Sequence, residues 1–206
     1  MVSPRFTKLP PAQQERILYA ALAEFAAHGF HDASLNRVVE AAGISKGSLY
    51  YYFDGKVDLY AHVARTELGK FFADHGPFPV PAGTDAETFW ATLSGYYARV
   101  LIALDDSPQL AALIRGWLVA AANPALQQAQ RDMEEAVLPW LEEVLIAGQE
   151  AGAVRTDVPN SLLLATVVGL GQAMDLWVMT QRPDRGDLGR LADIMTQMIR
   201  GAVAPQ

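Results

Sequence analysis

The stretch SKGSLYYYF, residues 45–53, sets three tyrosines between a leucine and a phenylalanine. Residues four apart share one face of an α-helix, so Leu49 and Phe53 predict a buried edge. The tyrosines at 50–52 then fan out around the remaining surface and cannot all be buried. We therefore expect one or two of their hydroxyls to face water or a partner.

Helical spacing continues before this stretch. Apolar residues recur through residues 17–25, and Gly29 is the expected end of that first helix. Ser34 is placed to cap a second, short helix that runs to about Ala41, and Ser45 is placed to cap the third. Two short helices joined by a glycine-containing turn and packed on a longer helix are the helix-turn-helix pattern.

The start of the third helix offers the chemistry that a DNA-reading helix needs, because its first residues meet base edges and phosphates. Ser45 and Ser48 can donate hydrogen bonds to phosphate oxygens, and Lys46 adds a positive charge. Gly47 lets the backbone approach closely, and a helix N-terminus favours an anion. On spacing alone, a small helical core with ordinary polar surface groups is the alternative.

Composition predicts a folded protein of the cytoplasm. The chain has 206 residues, 51% of them hydrophobic, and no cysteine, which excludes disulfides and cysteine-ligated metals. Its first residues show no apolar signal region, and its apolar stretches fall short of the roughly 18 residues of a spanning helix. Residues 1–60 carry six Lys/Arg and six Asp/Glu, so the net charge of −7 lies entirely in residues 61–206. A local basic surface near the N-terminus is therefore compatible with overall acidity.

The pattern predicts an all-α fold with two domains. Residues 1–53 form the expected helix-turn-helix DNA-binding domain, a helix over 54–75 joins it to the rest, and residues 76–206 form a larger helical domain. The proline- and glycine-rich segment 76–84 is the expected linker. Amphipathic helices are expected over 85–104, 108–122, 125–150, 160–181 and 187–203, with Pro139 kinking or splitting the third of these.

The stretch SLNRVVEAAGISKGSLYYYFDGKVDLY closely resembles the DNA-binding signature of TetR-family transcriptional regulators, and ERILYAALAEFAAHGF resembles that family's first helix. The resemblance covers about residues 12–65, and AGAVRTDVP also resembles a feature that precedes the family's penultimate helix. Val38-Val39 stands where most members have Ile-Ala, a modest change in the core. The resemblance implies that the DNA contacts are made by Ser34, Asn36, Ser45, Lys46, Gly47, Ser48, Tyr50, Tyr51, Tyr52 and Lys56.

These implied contacts have different roles. Ser34 matches a phosphate contact and Asn36 a position that reads a base edge in some members. The tyrosines match aromatic positions that touch phosphates or sugars, although Tyr52 also suits the seam with the next helix. Lys56 matches a lysine that contacts the DNA backbone. Arg5 and Lys8, in the arm before the first helix, either enter a minor groove or are solvated.

The resemblance also implies that a small molecule binds between the C-terminal helices and alters the spacing of the two DNA-binding heads. The candidate pocket residues by helix geometry are Trp90, Tyr97, Leu101, Leu113, Trp117, Met174 and Trp177. Arg115 and Asp175 interrupt apolar runs, and charges in such settings are normally paired. They either orient a polar group of an apolar or amphipathic effector or face solvent at a helix edge.

The last two helices are the expected homodimer surface, because Gly169, Gly171 and Ala173 allow close helix approach. An apolar stripe on the final helix consists of Leu188, Leu191, Ile194, Met195, Met198 and Ile199. A two-fold dimer places two recognition helices roughly 34–36 Å apart, which implies a palindromic operator. Double-stranded DNA, an effector and a second copy are thus the expected partners, with no membrane.

An enzyme is not expected. The four histidines all precede the linker, and no phosphate loop or metal-ligand spacing is present in the sequence, so we expect no cofactor. The leading interpretation is a transcriptional regulator, by the family's habit a repressor. The alternative is an all-α small-molecule-binding or interaction protein whose helix-turn-helix is purely structural.

Overall fold

The computed structural model describes residues 4–76, 78–79, 83–119 and 124–205. Within these ranges all regular structure is helical, as the sequence predicted. The α-helices are α1 (Pro4–Thr7), α2 (Pro11–Asp32), α3 (Leu35–Ala42), α4 (Lys46–Tyr52), α5 (Gly55–His75), α6 (Ala86–Asp105), α7 (Pro108–Val119), α8 (Pro124–Glu150), α9 (Asn160–Gln181) and α10 (Leu188–Val203). A 3-10 turn over Arg185–Asp187 precedes α10.

Two details of the helix pattern differ from expectation. Pro139 lies inside α8, which continues from Pro124 to Glu150 without being split. Pro139 lies in the middle of α8 and leaves one interior hydrogen bond unmade, so a kink, the other expected outcome, stays a prediction. Gly29, the expected end of the first helix, interrupts α2 with φ 68° and ψ 178°, and helical residues follow it to Asp32. Part of the expected linker (residues 77 and 80–82) lies outside the described residues.

The chain divides into two compact units that are not contiguous in sequence. The first consists of Met1–Phe72 and Ser107–Met133, and the second of Ala73–Asp106 and Glu134–Gln206. The first division falls close to the expected linker. However, α7 and the beginning of α8 group with the helix-turn-helix rather than with the C-terminal body.

The core of the first unit is aromatic. Tyr60 on α5 is 1% exposed; its ring stacks on Trp117 of α7 at a centroid distance of 5.7 Å and also contacts Phe25 of α2. Its hydroxyl donates to the carbonyl oxygen of Leu113, 3.1 Å away, and burial raises the pKa of this hydroxyl. A side chain at position 116 would place its Cβ 2.9 Å from that hydroxyl oxygen, so Gly116 makes room for it.

In the second unit, α6 packs along α10. Glu87 on α6 pairs with Arg200 on α10, and Asp106 at the end of α6 accepts from Arg185. One buried cluster, which includes Trp90, surrounds Phe89 and Val154, and a second one contains Leu101, Met174, Val178, Leu188, Ala192 and Met195. These contacts form a helical body that is stabilised at both ends of α6 by ion pairs.

Candidate nucleic-acid interface and effector region

The N-terminus of α3 is held by a buried carboxylate that sequence analysis missed. Ser34 occupies the predicted capping position, but its side chain makes no capping hydrogen bond. Instead its backbone N–H donates to Glu24 Oε1 at 2.7 Å, and Arg37 donates from Nε and Nη2 to the same carboxylate. The Arg37 hydrogen bonds lower the pKa of Glu24, against the opposing effect of burial. Glu24 is 8% exposed, so these hydrogen bonds connect α2 to α3 at a buried position.

The N-terminus of α4 is capped as predicted. The Ser45 hydroxyl oxygen accepts from the backbone N–H of Ser48 at 3.0 Å, and the two hydroxyls lie 2.8 Å apart. Lys46 and Gly47 are exposed beside this cap. Leu49 is buried, as is Phe53 at the end of the helix. The predicted reading end of α4 therefore faces solvent while its opposite face is fixed in the core.

The three tyrosines of α4 divide between surface and seam. Tyr50 and Tyr51 are each 53% exposed, so their rings lie on the solvent side of the helix. Tyr52 is partly buried and meets Phe6 edge-on at a centroid distance of 6.2 Å. The expected positions for Tyr52 were the DNA backbone and the seam with the next helix; the contact observed is with Phe6 of α1.

Two cations near α4 are placed differently from the prediction. Lys56 does not point outward: its ammonium donates to the carbonyl oxygens of His31 and Ala33, at 2.8 and 3.1 Å. A carbonyl-rich turn at the end of α2 attracts a cation, because its carbonyl dipoles point outward there. The arm is not loose either, because Arg5 lies in helix α1 with its guanidinium carbon 4.1 Å from the Tyr51 ring centroid. Lys8, just after α1, is exposed.

Other predicted DNA contacts keep their expected exposure. Asn36 is exposed one residue inside α3, and Ile44, expected in the core, is only partly buried. A groove of about 330 Å³ also lies between α2 and α3, lined by Arg16, Tyr19, Ala20, Ala23, Glu24, Arg37 and Ala41. None of the predicted DNA or effector residues lines it.

The predicted effector residues of the second unit do not form one group. Tyr97 packs against the cluster of Leu101 and Met174, and its hydroxyl donates to Asp175 at 2.5 Å. Burial raises the pKa of the Asp175 carboxyl, and burial together with that carboxylate raises the pKa of Tyr97. Trp90 belongs to the other buried cluster.

The remaining effector predictions fall elsewhere. Trp177, expected in a pocket, is 48% exposed, because α9 turns that position away from its own unit. Leu113 and Trp117 lie in the first unit, where both are buried, Trp117 against Tyr60. Arg115, in the same helix, is partly buried. Asp175, expected either to orient an effector group or to face solvent, accepts the hydrogen bond of Tyr97 within the second unit.

An apolar surface remains on the last two helices. Exposed fractions are 57% for Leu162, 48% for Trp177, 41% for Ile194 and 53% for Met198. Helix α9 is long and apolar enough to cross a membrane, contrary to the reading of the sequence, with 22% of its most apolar window buried. A Cβ added at Gly169 or Gly171 would meet nothing within 4 Å. Within the predicted stripe of α10, Leu188 and Met195 are instead buried in the unit's own core.

Among the described residues, no three histidine or acidic side chains gather as metal ligands do. The site that remains is a capped, exposed helix on a three-helix scaffold. This arrangement is that of a helix-turn-helix protein, in which the second short helix presents its N-terminal residues to DNA.

Comparisons with known proteins agree with this class. Residues 17–63 match the family model described as bacterial regulatory proteins, tetR family. The chain is 21% identical over 185 residues to the fatty acid metabolism regulator protein of Bacillus subtilis, covering 89% of this chain and 92% of that one. It is 31% identical over 137 residues to the HTH-type transcriptional regulator RutR of Escherichia coli K12, covering 66% of this chain and 61% of RutR.

Solved structures share the fold along nearly the whole chain. The FadR regulator of Bacillus subtilis, solved with stearoyl-CoA, superposes with a TM-score of 0.71 at 20% identity, covering 89% of this chain and 96% of that one. FadR of Bacillus halodurans gives 0.69 at 25% identity, covering 91% and 97%. The protein is a helix-turn-helix transcriptional regulator. Its helix-turn-helix, over residues 17–63, is that of the TetR family.

Proposed function

We propose that this regulator is a repressor that binds a palindromic operator as a homodimer and is released by an amphipathic small molecule. The observation that carries the DNA-binding part is the exposed N-terminal end of α4, where Lys46 and Gly47 lie beside the Ser45 cap. Leu49 and Phe53 fix the helix from behind. Such a helix can enter the major groove without first unfolding its own support.

Within this proposal the side chains have separate roles. Ser34, Asn36, Lys46, Gly47 and Ser48 face bases and nearby phosphates. Tyr50 and Tyr51 hold the DNA backbone through their exposed hydroxyls and so fix register rather than sequence. Lys56 and Tyr52 support the fold of the DNA-binding unit instead of contacting DNA, because their side chains are bound within the protein itself.

The dimer part rests on the apolar surface of α9 and α10. Leu162, Trp177, Ile194 and Met198 are large apolar side chains that one chain leaves exposed. A second copy related by a two-fold axis would cover the same residues on both chains at once. The TetR family consists of soluble regulators, which favours a second copy of the chain over a lipid bilayer as the partner of α9.

The effector part rests on the second unit and on one relative. Tyr97 and Asp175 form a polar pair beside the apolar cluster of Leu101 and Met174, which suits a ligand with a long apolar part and a polar group. The FadR structure that shares this fold holds stearoyl-CoA. We therefore propose a long acyl chain as the first effector class to try.

The experiment is binding of labelled DNA from around the protein's own coding region, measured by fluorescence anisotropy at several salt concentrations. The wild type is expected to bind specifically, and Lys46→Ala to weaken binding and reduce the salt slope by about one, the amount expected for one phosphate contact. Lys70→Ala is the matched control, because Lys70 is exposed on α5 and pairs with Glu67 away from α4.

Addition of stearoyl-CoA or stearate is expected to release the DNA, and the two ligands separate an acyl-chain requirement from a CoA requirement. A wild type that shows no specific DNA binding would contradict the proposal and favour a purely structural helix-turn-helix. Equal effects of the Lys46 and Lys70 substitutions would show that α4 is not the reading helix.

A further inference from the structure

The first helix, α1, is docked onto the end of α4 by one buried aromatic side chain. Phe6 is 1% exposed, and its ring lies 4.8 Å from that of Phe53 and 5.3 Å from the imidazole of His62 on α5. Tyr52 completes this cage edge-on. Burial of this ring holds in place a four-residue helix that is too short to form alone.

Hydrogen bonds fix the turn that follows α1. Leu9 N–H donates to the Phe6 carbonyl oxygen at 3.0 Å, which closes the turn. The side-chain amide of Gln14, in the first turns of α2, donates to the carbonyl oxygens of Leu9 and Thr7 at 2.8 and 3.3 Å. The segment before α2 is thus attached to both α2 and α4, and its side chains have defined positions.

This attachment places Arg5 beside the proposed DNA-binding surface. Its guanidinium carbon lies 4.1 Å from the centroid of the Tyr51 ring, and both residues are exposed. Stacking uses the face of a guanidinium, whereas its N–H donors lie in the plane and match a phosphate in a bidentate manner. Tyr51 thereby orients a phosphate-binding group next to its own hydroxyl.

The positive charges of residues 1–60 bear on the proposed role of Arg5. Residues 1–60 contain six Lys/Arg, of which Arg37 is paired with Glu24 and Lys56 with two carbonyl oxygens. A duplex carries a negative charge every ≈ 1.7 Å, so a cation held in place beside α4 adds to the electrostatic attraction.

We propose that α1 is part of the DNA-binding surface, with Arg5 binding a backbone phosphate beside α4 and Phe6 acting as the positioning residue that holds Arg5 on Tyr51. This inference rests on the proposed DNA-binding function. It differs from a flexible basic arm in the minor groove, because a flexible arm needs neither Phe6 nor the stacking on Tyr51.

The test measures affinity for the operator DNA against salt concentration for six variants of the full chain. Arg5→Ala is expected to lose about tenfold in affinity near 0.1 M salt and about one unit of salt slope, the amount for one phosphate contact. Arg5→Lys should keep the slope and recover part of the affinity, because charge is retained but planar stacking is lost. Lys8→Ala, the control on the same segment, should leave both values near those of the wild type.

Phe6→Ala tests the positioning role. It should reproduce the Arg5→Ala loss, and the double variant Arg5→Ala/Phe6→Ala should lose no more than Phe6→Ala alone. Phe6→Leu, which keeps an apolar side chain in the cage, should restore most of the affinity. Circular dichroism of each variant confirms that the helical content is kept.

Three results would overturn the inference. These are wild-type affinity and slope for Arg5→Ala, equal losses for Arg5→Ala and Lys8→Ala, and additive losses for the Arg5 and Phe6 substitutions. In each of these cases Lys46→Ala still reports on the proposed function separately, since a loss there with no loss at Arg5 removes only the role of α1. Absence of DNA binding by the wild type would remove both.

Discussion

The carboxylate of Glu24 carries a prediction that can be worked from the structure. It accepts the backbone N–H of Ser34 and both donor groups of Arg37, while only 8% of its surface is exposed. Glu24→Gln keeps the size of the side chain and one carbonyl oxygen for Ser34. It removes the negative charge and turns an amide donor toward the Arg37 guanidinium.

The expected cost of Glu24→Gln follows from the bonds that change. A hydrogen bond to a charged group contributes about 1.5–3 kcal/mol to the free energy of unfolding. Part of the loss is recovered, because Arg37 is 50% exposed and water can hydrate it. We expect the free energy of unfolding to fall by about 1–2 kcal/mol, which for a chain of this size lowers Tm by roughly 2–8 °C. Opening of α3 should become easier by a similar amount, because its first amide loses a charged acceptor.

The pH dependence gives a second, independent signature. The folded-state pKa of Glu24 is lowered, chiefly by the hydrogen bonds from Arg37. The stabilisation that the carboxylate gives is therefore fully present above its pKa in the unfolded state, about 4.3. It is lost as the pH falls through its pKa in the folded state. The stability difference between wild type and Glu24→Gln should be constant near pH 7 and shrink in acid below the unfolded pKa.

Hydrogen exchange of the α3 amides and urea unfolding together measure these effects. Glu15→Gln is the control, because Glu15 is an exposed glutamate on the same helix. It should change stability by less than about 0.5 kcal/mol, the range of ordinary surface substitutions. If Glu24→Gln is as stable as the wild type at pH 7, or if its deficit persists unchanged in acid, the buried carboxylate does not hold α3.

Two further substitutions probe the second unit. Gly148→Ala would place a Cβ 2.6 Å from Val154 Cγ2 and 2.9 Å from Phe89 Cζ, so we expect overpacking to cost about 1–3 kcal/mol in thermal unfolding. Trp177→Lys, at a side chain that is 48% exposed, should convert the proposed dimer to a monomer in sedimentation velocity without loss of helical content. Tyr19→Lys, at a tyrosine 67% exposed in the first unit, should leave the sedimentation coefficient unchanged.

Each of these two predictions has a clear contrary result. Gly69→Ala, on an exposed face of α5, has open space around the added Cβ and replaces glycine by a better helix former, so it should be neutral or stabilising. Equal destabilisation by Gly148→Ala and Gly69→Ala would show that close packing at 148 is not the cause. A Trp177→Lys chain that still sediments as a dimer would place the interface on another surface.

Local sequence signals predicted most of the helices because each signal acts within a few residues. Ser45 caps α4 through an amide three residues away, and Gly29 interrupts α2 through its own backbone angles. Pro108 and Pro124 mark the starts of α7 and α8 for the same reason, because proline is tolerated in the first turn of a helix. The short α1 was missed, because nothing within its four residues stabilises a helix without the cage around Phe6.

The partners of charged side chains could not be predicted in this way. Lys56 binds carbonyl oxygens 23 and 25 residues earlier, and Arg37 reaches a carboxylate 13 residues earlier. Such pairings depend on how helices cross, which periodicity within one helix does not specify. Glu24 itself left a usable signal, since a glutamate directly before Phe25 interrupts the apolar face of α2 and needs a cation nearby.

The grouping of α7 with the helix-turn-helix follows from the contacts of one residue on α5. Tyr60 lies on α5, yet its ring stacks on Trp117 and its hydroxyl binds the Leu113 carbonyl oxygen, both on α7. Gly116 leaves the space that this hydroxyl needs. A buried hydroxyl without a partner costs about 1–3 kcal/mol, so separation of α5 from α7 carries a free-energy cost of that order. Trp117 and Leu113, first considered as effector contacts, therefore act within the first unit as the surface on which α5 is held.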